Sequence, residues 1–139
     1  MQTISDALGF FIQLSKLEAT VTRRFDSGLG GLSFNEFIIL WHLKQAGRET
    51  VRPTDLAAKL GLTASGVTRL LIPMEKTGLL KRKRDENDAR ASHIIIAPGG
   101  KMRLEEAMER AEYLADELIP KGKDRKVAEL AALLSVIGR

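Results

Sequence analysis

Leu56-Ala57-Ala58-Lys59-Leu60-Gly61-Leu62-Thr63-Ala64-Ser65-Gly66-Val67-Thr68-Arg69-Leu70 carries more information than any other stretch of this chain. Its spacing is that of a helix-turn-helix, the smallest unit that offers a helix to the DNA major groove. Leu56 and Leu60 lie one turn apart and face inward. Ala57 sits where the two helices cross, and a larger side chain would push them apart. Gly61 occupies the turn, where the backbone needs positive φ. Leu62 is expected to plug the corner. Thr63 is placed to cap the second helix by accepting from its free N–H groups. Val67 and Leu70 are expected to pin that helix to the core. Ala64, Ser65, Gly66, Thr68 and Arg69 are left outside. All but the arginine are small, so the helix can approach base edges closely. An ordinary helical hairpin uses the same small-residue logic, so the rest of the chain has to decide.

Charge placement points the same way. The net charge of +4 is modest, but residues 48–98 carry ten basic and six acidic side chains. Residues 1–47 carry four of each and residues 101–139 eight of each, so the whole excess lies around the helix-turn-helix. A localised basic patch is the footprint expected for phosphate contact. With 139 residues and 44% hydrophobic content, one domain with a real core is expected. Cysteine is absent, which excludes disulfides, thiolate metal sites and a thiol redox switch. No apolar run approaches the ~20 residues of a membrane span. The N-terminus lacks a signal-peptide layout. A cytoplasmic protein without membrane, metal or cofactor is the expectation.

Residues 4–26 read as an amphipathic helix with Phe10, Phe11, Leu14, Leu17, Val21 and Phe25 at helical spacing, broken by Gly28, Gly30 and Gly31. Ser33 and Glu36 form a capping box for a second helix to about Ala46, stopped by Gly47. Pro53 suits the first turn of a third helix. The fourth runs from Thr63 to about Thr77. Pro73 within it predicts a bend in its last turn. Leu79–Lys83 and His93–Ala97 read as strands around a polar loop, a β-hairpin placed as a wing. Pro98 opens a long helix to about residue 119. Pro120-Lys121-Gly122-Lys123 interrupts it, and a last helix covers about 124–137. The fold class is therefore mainly α with a small β-hairpin wing. Residues 33–97 form the winged helix-turn-helix lobe, flanked by helices at 1–27 and 99–139. Those outer helices are too apolar for one small core to cover. The solution expected is a homodimer, in which two recognition helices meet successive major grooves.

In this order and spacing the segments resemble the MarR family of bacterial transcriptional regulators over nearly the whole chain. The resemblance is carried by Leu56 to Leu62, by Val67-Thr68-Arg69-Leu70, by Met74-Glu75-Lys76-Thr77-Gly78-Leu79 and by the wing signature Asp88-Ala89-Arg90-Ala91. It implies a dimeric winged-helix regulator, commonly a repressor of palindromic operators, released when a small and often phenolic or anionic effector binds between the dimer and DNA lobes. By position it places Ser65, Gly66, Thr68 and Arg69 in the groove. It makes Arg90 the wing arginine entering the minor groove, and Asp88 the carboxylate that orients it. Such a pairing holds a guanidinium in place before a narrow groove attracts it; as a plain exposed ion pair it would contribute at most ~1 kcal/mol. The chain departs from the family at Ala97-Pro98, where Leu-Thr is usual. Pro98 at the first helical position takes over the start of the helix.

Lys81, Arg82, Lys83 and Arg84 alternate along the first wing strand. Lys81, Lys83 and Arg84 join Thr63 among the candidate DNA contacts. Charge on this strand would also protect a sheet edge. Phe10, Leu14, Phe37, Trp41 and His42 are candidates for an effector pocket, against the commoner role of aromatic residues at this spacing as core. An enzyme is disfavoured: no nucleophile–base set, metal-ligand spacing or phosphate-binding glycine loop is present. A winged-helix module that binds protein rather than DNA is the remaining alternative. An acidic recognition helix would favour it, and Arg69 and Arg90 argue against it.

Overall fold

The computed structural model describes residues 1–88 and 91–139. The described elements run α1 (Asp6–Gly28), α2 (Phe34–Ala46), α3 (Pro53–Leu60), α4 (Ala64–Lys76), β1 (Leu80–Arg84), β2 (Ser92–Ile96), α5 (Pro98–Leu118) and α6 (Asp124–Leu134). Local chemistry sets most of the boundaries. The Ser5 side chain accepts from Leu8 N at 3.1 Å and starts α1. At α2 the capping box is complete: Glu36 N donates to Ser33 Oγ at 3.1 Å and Ser33 N donates to Glu36 Oε1 at 2.8 Å. Gly47 ends that helix at φ 60°. Pro98 stands in the first turn of α5, as its sequence position requires. Gly28 does not break α1; it is the last helical residue. A side chain there would meet Leu114 of α5, so glycine permits a close helix approach. The break falls at Gly30 and Gly31, with φ of 68° and 95°.

Leu32, Ile39, Leu40, Leu56, Val67, Leu71, Met74, Leu80, Ile94 and Leu104 are sealed from solvent. They come from the α1–α2 loop and from α2, α3, α4, both strands and α5. Burying each is worth about 1.5–3 kcal/mol before entropy is counted. The strands pair antiparallel from Leu80 opposite Ile96 to Arg84 opposite Ser92, one residue later at the start of the hairpin than the sequence pattern indicates. Val51, just before α3, forms a bridge with Ile94, whose N–H donates to Val51 O at 2.7 Å. One backbone bond therefore stitches the base of the wing to the helix-turn-helix. On the other side Gly100 lies against Leu79: a Cβ at Gly100 would collide with the Leu79 carbonyl oxygen, so α5 can cross the hairpin only with glycine there.

Two details of the helix-turn-helix differ from expectation. Leu62 does not plug the corner; it is 37% exposed. The turn is closed instead by backbone: Gly61 at φ 67° and Leu62 both donate to Ala57 O. The deep anchor of α4 is Leu71, fully buried with Val67 and Met74, while Leu70 is only half-buried. The i, i+4, i+7 series 67–71–74 sets the rotation of the helix.

Candidate nucleic-acid interface

With 67, 71 and 74 buried, the opposite face of α4 carries 65, 68, 69 and 72. Ser65, Thr68 and Arg69 are exposed and Gly66 is half-buried. Ile72, not anticipated from sequence, stands 44% exposed on the same stripe. Thr63 caps the helix: Gly66 N donates to its Oγ1 at 3.1 Å. A side chain at Gly66 would sit 3.2 Å from that same oxygen, so the glycine protects the cap. The hydroxyls are already engaged. Thr68 Oγ1 donates to Ala64 O at 3.0 Å, and Ser65 and Thr63 share a 3.3 Å contact. Arg69 makes no hydrogen bond or ion pair among the described residues, so its five donors are available. The sole carboxylate on α4 is Glu75, in its last turn. It pairs with Arg82 of β1 at 3.0 Å and clamps the wing to the recognition helix.

Lys81, Lys83 and Arg84 project from β1 into solvent. Arg52, at the start of α3, approaches Asp85 of the wing loop at 3.8 Å. Asp85 Oδ1 also accepts from Asn87 N at 2.9 Å, and Asp85 N donates to Ala91 O at 3.0 Å. These bonds close the loop that presents the wing tip. Ala91 N donates to Asp88 O at 3.1 Å, and Asp88 is exposed. Arg90 and its neighbour Ala89 lie outside the described residues, so the arginine–carboxylate pairing inferred for Asp88 and Arg90 has no described geometry. In this way the fold brings Thr63, Ser65, Gly66, Thr68 and Arg69 together on one helix, with Lys81, Lys83 and Arg84 on the strand that follows.

Of the five effector-pocket candidates, three meet. Phe37, Trp41 and His42 line a cavity of about 430 Å³ between α2, α1 and α5. Phe10 and Leu14 do not line it; they sit on the N-terminal half of α1, where Phe10 meets Phe11 edge-on at 5.5 Å. Their places are taken by Phe25, Phe34, Met108, Ala111 and Glu112. Phe25 and Phe34 stack with ring centres 4.3 Å apart. The signal that could have found the first two is their aromatic character next to Phe37; nothing local marks the α5 residues. His42 also lines a second, more polar cavity of about 550 Å³ with Gln45, Glu49, Asp55 and Lys59. Burial, and then the Lys59 charge, hold the His42 imidazole below its ordinary pKa and favour its neutral form. His93 Nδ1 is buried without a hydrogen-bond partner among the described residues.

The MarR family model matches residues 30–91, which span the helix-turn-helix and most of the wing. The HTH-type transcriptional repressor YetL of Bacillus subtilis is 34% identical over 76 residues, 55% of this chain and 46% of that one. The chain spans less than half the length of the curated relatives it matches. The crystal structure of the transcriptional regulator BldR from Sulfolobus solfataricus shares 29% identity and a TM-score of 0.80, over 99% of this chain and 100% of that one. A point mutant of MarR from Escherichia coli, complexed with operator DNA, has the same fold at 24% identity and a TM-score of 0.76, over 97% and 100% of the two chains.

Proposed function

We propose, from the similarity of residues 30–91 to the MarR family and of the whole fold to its regulators, that this chain is a member of that family and a sequence-specific DNA-binding regulator working as a homodimer. The observation that carries this reading is the outward face of α4. It presents Ser65, Thr68 and an unpaired Arg69 with no carboxylate until Glu75, beside a strand bearing Lys81, Lys83 and Arg84. In the major groove Arg69 would offer bidentate donors to guanine O6 and N7. The lysines and Arg84 would neutralise flanking phosphates, and Arg90 would extend the contact from the wing tip into the minor groove. The fold shared with a protein held on its operator supports the docking mode. A protein-binding winged helix is not favoured, because its marker, an acidic recognition face, is absent from α4.

Two further parts complete the proposal. The unpartnered faces of α1 and α6 pair two copies, so that two α4 helices address one palindromic site. The cavity beside α2 takes a small effector. Because His42 separates this cavity from the one over α3, a ligand that moves His42 also moves the first helix of the helix-turn-helix. Release of DNA on effector binding makes the chain a repressor, the role that the name of its relative YetL records for that protein. The reading places the chain in the cytoplasm, with its DNA.

Selection from a random duplex library at near-physiological salt tests the reading. The expected result is a palindrome with half-sites ~10 bp apart, bound with an affinity that falls steeply with salt. A folded protein that enriches no sequence would overturn it.

A further inference from the structure

We propose that the effector cavity selects a lipophilic organic cation, held by its aromatic walls and by Glu112, rather than an anion. This rests on the effector reading above and reverses the anionic preference that the family resemblance implies. The walls are Phe25, Phe34, Phe37 and Trp41, and the single formally charged lining residue is Glu112. Aromatic faces attract a cation through their quadrupole, most strongly at indole. Glu112 has no ion-pair partner among the described residues, so it remains available as a counter-charge. The helix that carries it deepens the negative field. Between Leu104 and Leu118, α5 holds Glu105, Glu106, Glu109, Glu112 and Asp116 against Arg110, while Glu117 is paired with Arg24 of α1 at 2.9 Å. No lysine or arginine lines the cavity. Lys59 faces the neighbouring polar cavity, and burial of His42 between the two disfavours its charged form. An anion here would meet a carboxylate and ring faces of the wrong sign. A cation of aromatic size meets complementary groups on both counts.

The test uses two ions of one shape and opposite charge, tetraphenylphosphonium and tetraphenylborate, with the full chain. Trp41 is the only tryptophan in the protein and lines the cavity, so its fluorescence reports occupancy directly. The phosphonium should bind roughly tenfold or more tighter than the borate, and Glu112→Gln should cost the phosphonium roughly three- to tenfold while leaving or improving borate binding. Equal affinity for the two ions, or an E112Q variant that keeps full cation affinity, overturns the charge preference and leaves the cavity reading in place. No change in Trp41 fluorescence with either ion overturns the cavity reading as well.

Discussion

The winged helix-turn-helix lobe and the outermost helices have similar apolar content and opposite fates. In the lobe, α2, α3 and α4 each bury their apolar stripe within the chain: Ile39, Leu40 and Leu43, then Leu56 and Ala57, then Val67, Leu71 and Met74. In α6 no residue is buried, and Leu130, Leu133 and Leu134 stand 39–53% exposed. α1 buries only Phe25, near its C-terminal end, and leaves Leu8, Phe11, Ile12 and Leu17 in solvent. A hydrophobic stripe left uncovered over two helices marks an interaction surface rather than chance exposure. The lobe is thus a self-sufficient core, and the outer helices carry the uncovered apolar surface that the proposed dimer would bury.

That contrast can be broken by mutation, and the largest effect belongs in the lobe. Leu71→Ala should lower unfolding free energy by about 2–5 kcal/mol in chemical denaturation, because it opens a cavity under the recognition helix. A loss below about 1 kcal/mol would mean that α4 is not anchored there. Leu133→Asp should leave the lobe folded by circular dichroism and shift sedimentation from dimer to monomer. With only one α4 per particle, affinity for a two-half-site duplex should then fall at least about 100-fold. A variant that remains dimeric would remove α6 from the interface.

Smaller effects sharpen the lobe side. Thr63→Ala removes the cap from Gly66 N and should cost about 1 kcal/mol of stability. Smallest is Arg82→Ala: its pair with Glu75 is partly solvated on both sides and should contribute no more than about 1 kcal/mol, read in the same denaturation series.

The two regions were also legible to different degrees. Ser33, Gly47, Pro53, Gly61, Thr63 and Pro98 are where the sequence puts helix ends, because capping chemistry is local and each of these residues acts on neighbours within four positions. The rotation of α4 was not legible. Leu70, Leu71 and Ile72 are three apolar residues in succession, and only packing against α2, α3 and β1 decides that Leu71 goes in and Ile72 out. Leu79 and Leu80 blurred the start of the first strand in the same way. Leu62 reads as a corner plug because it is apolar at a turn, yet the backbone bonds to Ala57 O close that turn without it. The cavity was half legible. Phe37, Trp41 and His42 share one helix, whereas Met108, Ala111 and Glu112 arrive from some 70 residues downstream. Only the tertiary crossing of α5 over α2 brings them to the same walls. Phe10 and Leu14 fit the periodicity of α1 but lie away from the one turn that reaches the cavity.

In the proposed docking mode α4 would read bases through Arg69 while the packing beneath it stays untouched. The measurement that tests it most directly is the affinity of Arg69→Ala for the selected palindrome and for a scrambled duplex, at one fixed salt concentration. The expected result is a loss of about 1–3 kcal/mol per half-site on the palindrome, little change on the scrambled duplex, and unfolding free energy within about 0.5 kcal/mol of the parent. Undiminished affinity for the palindrome, or an equal loss on both duplexes, would contradict it.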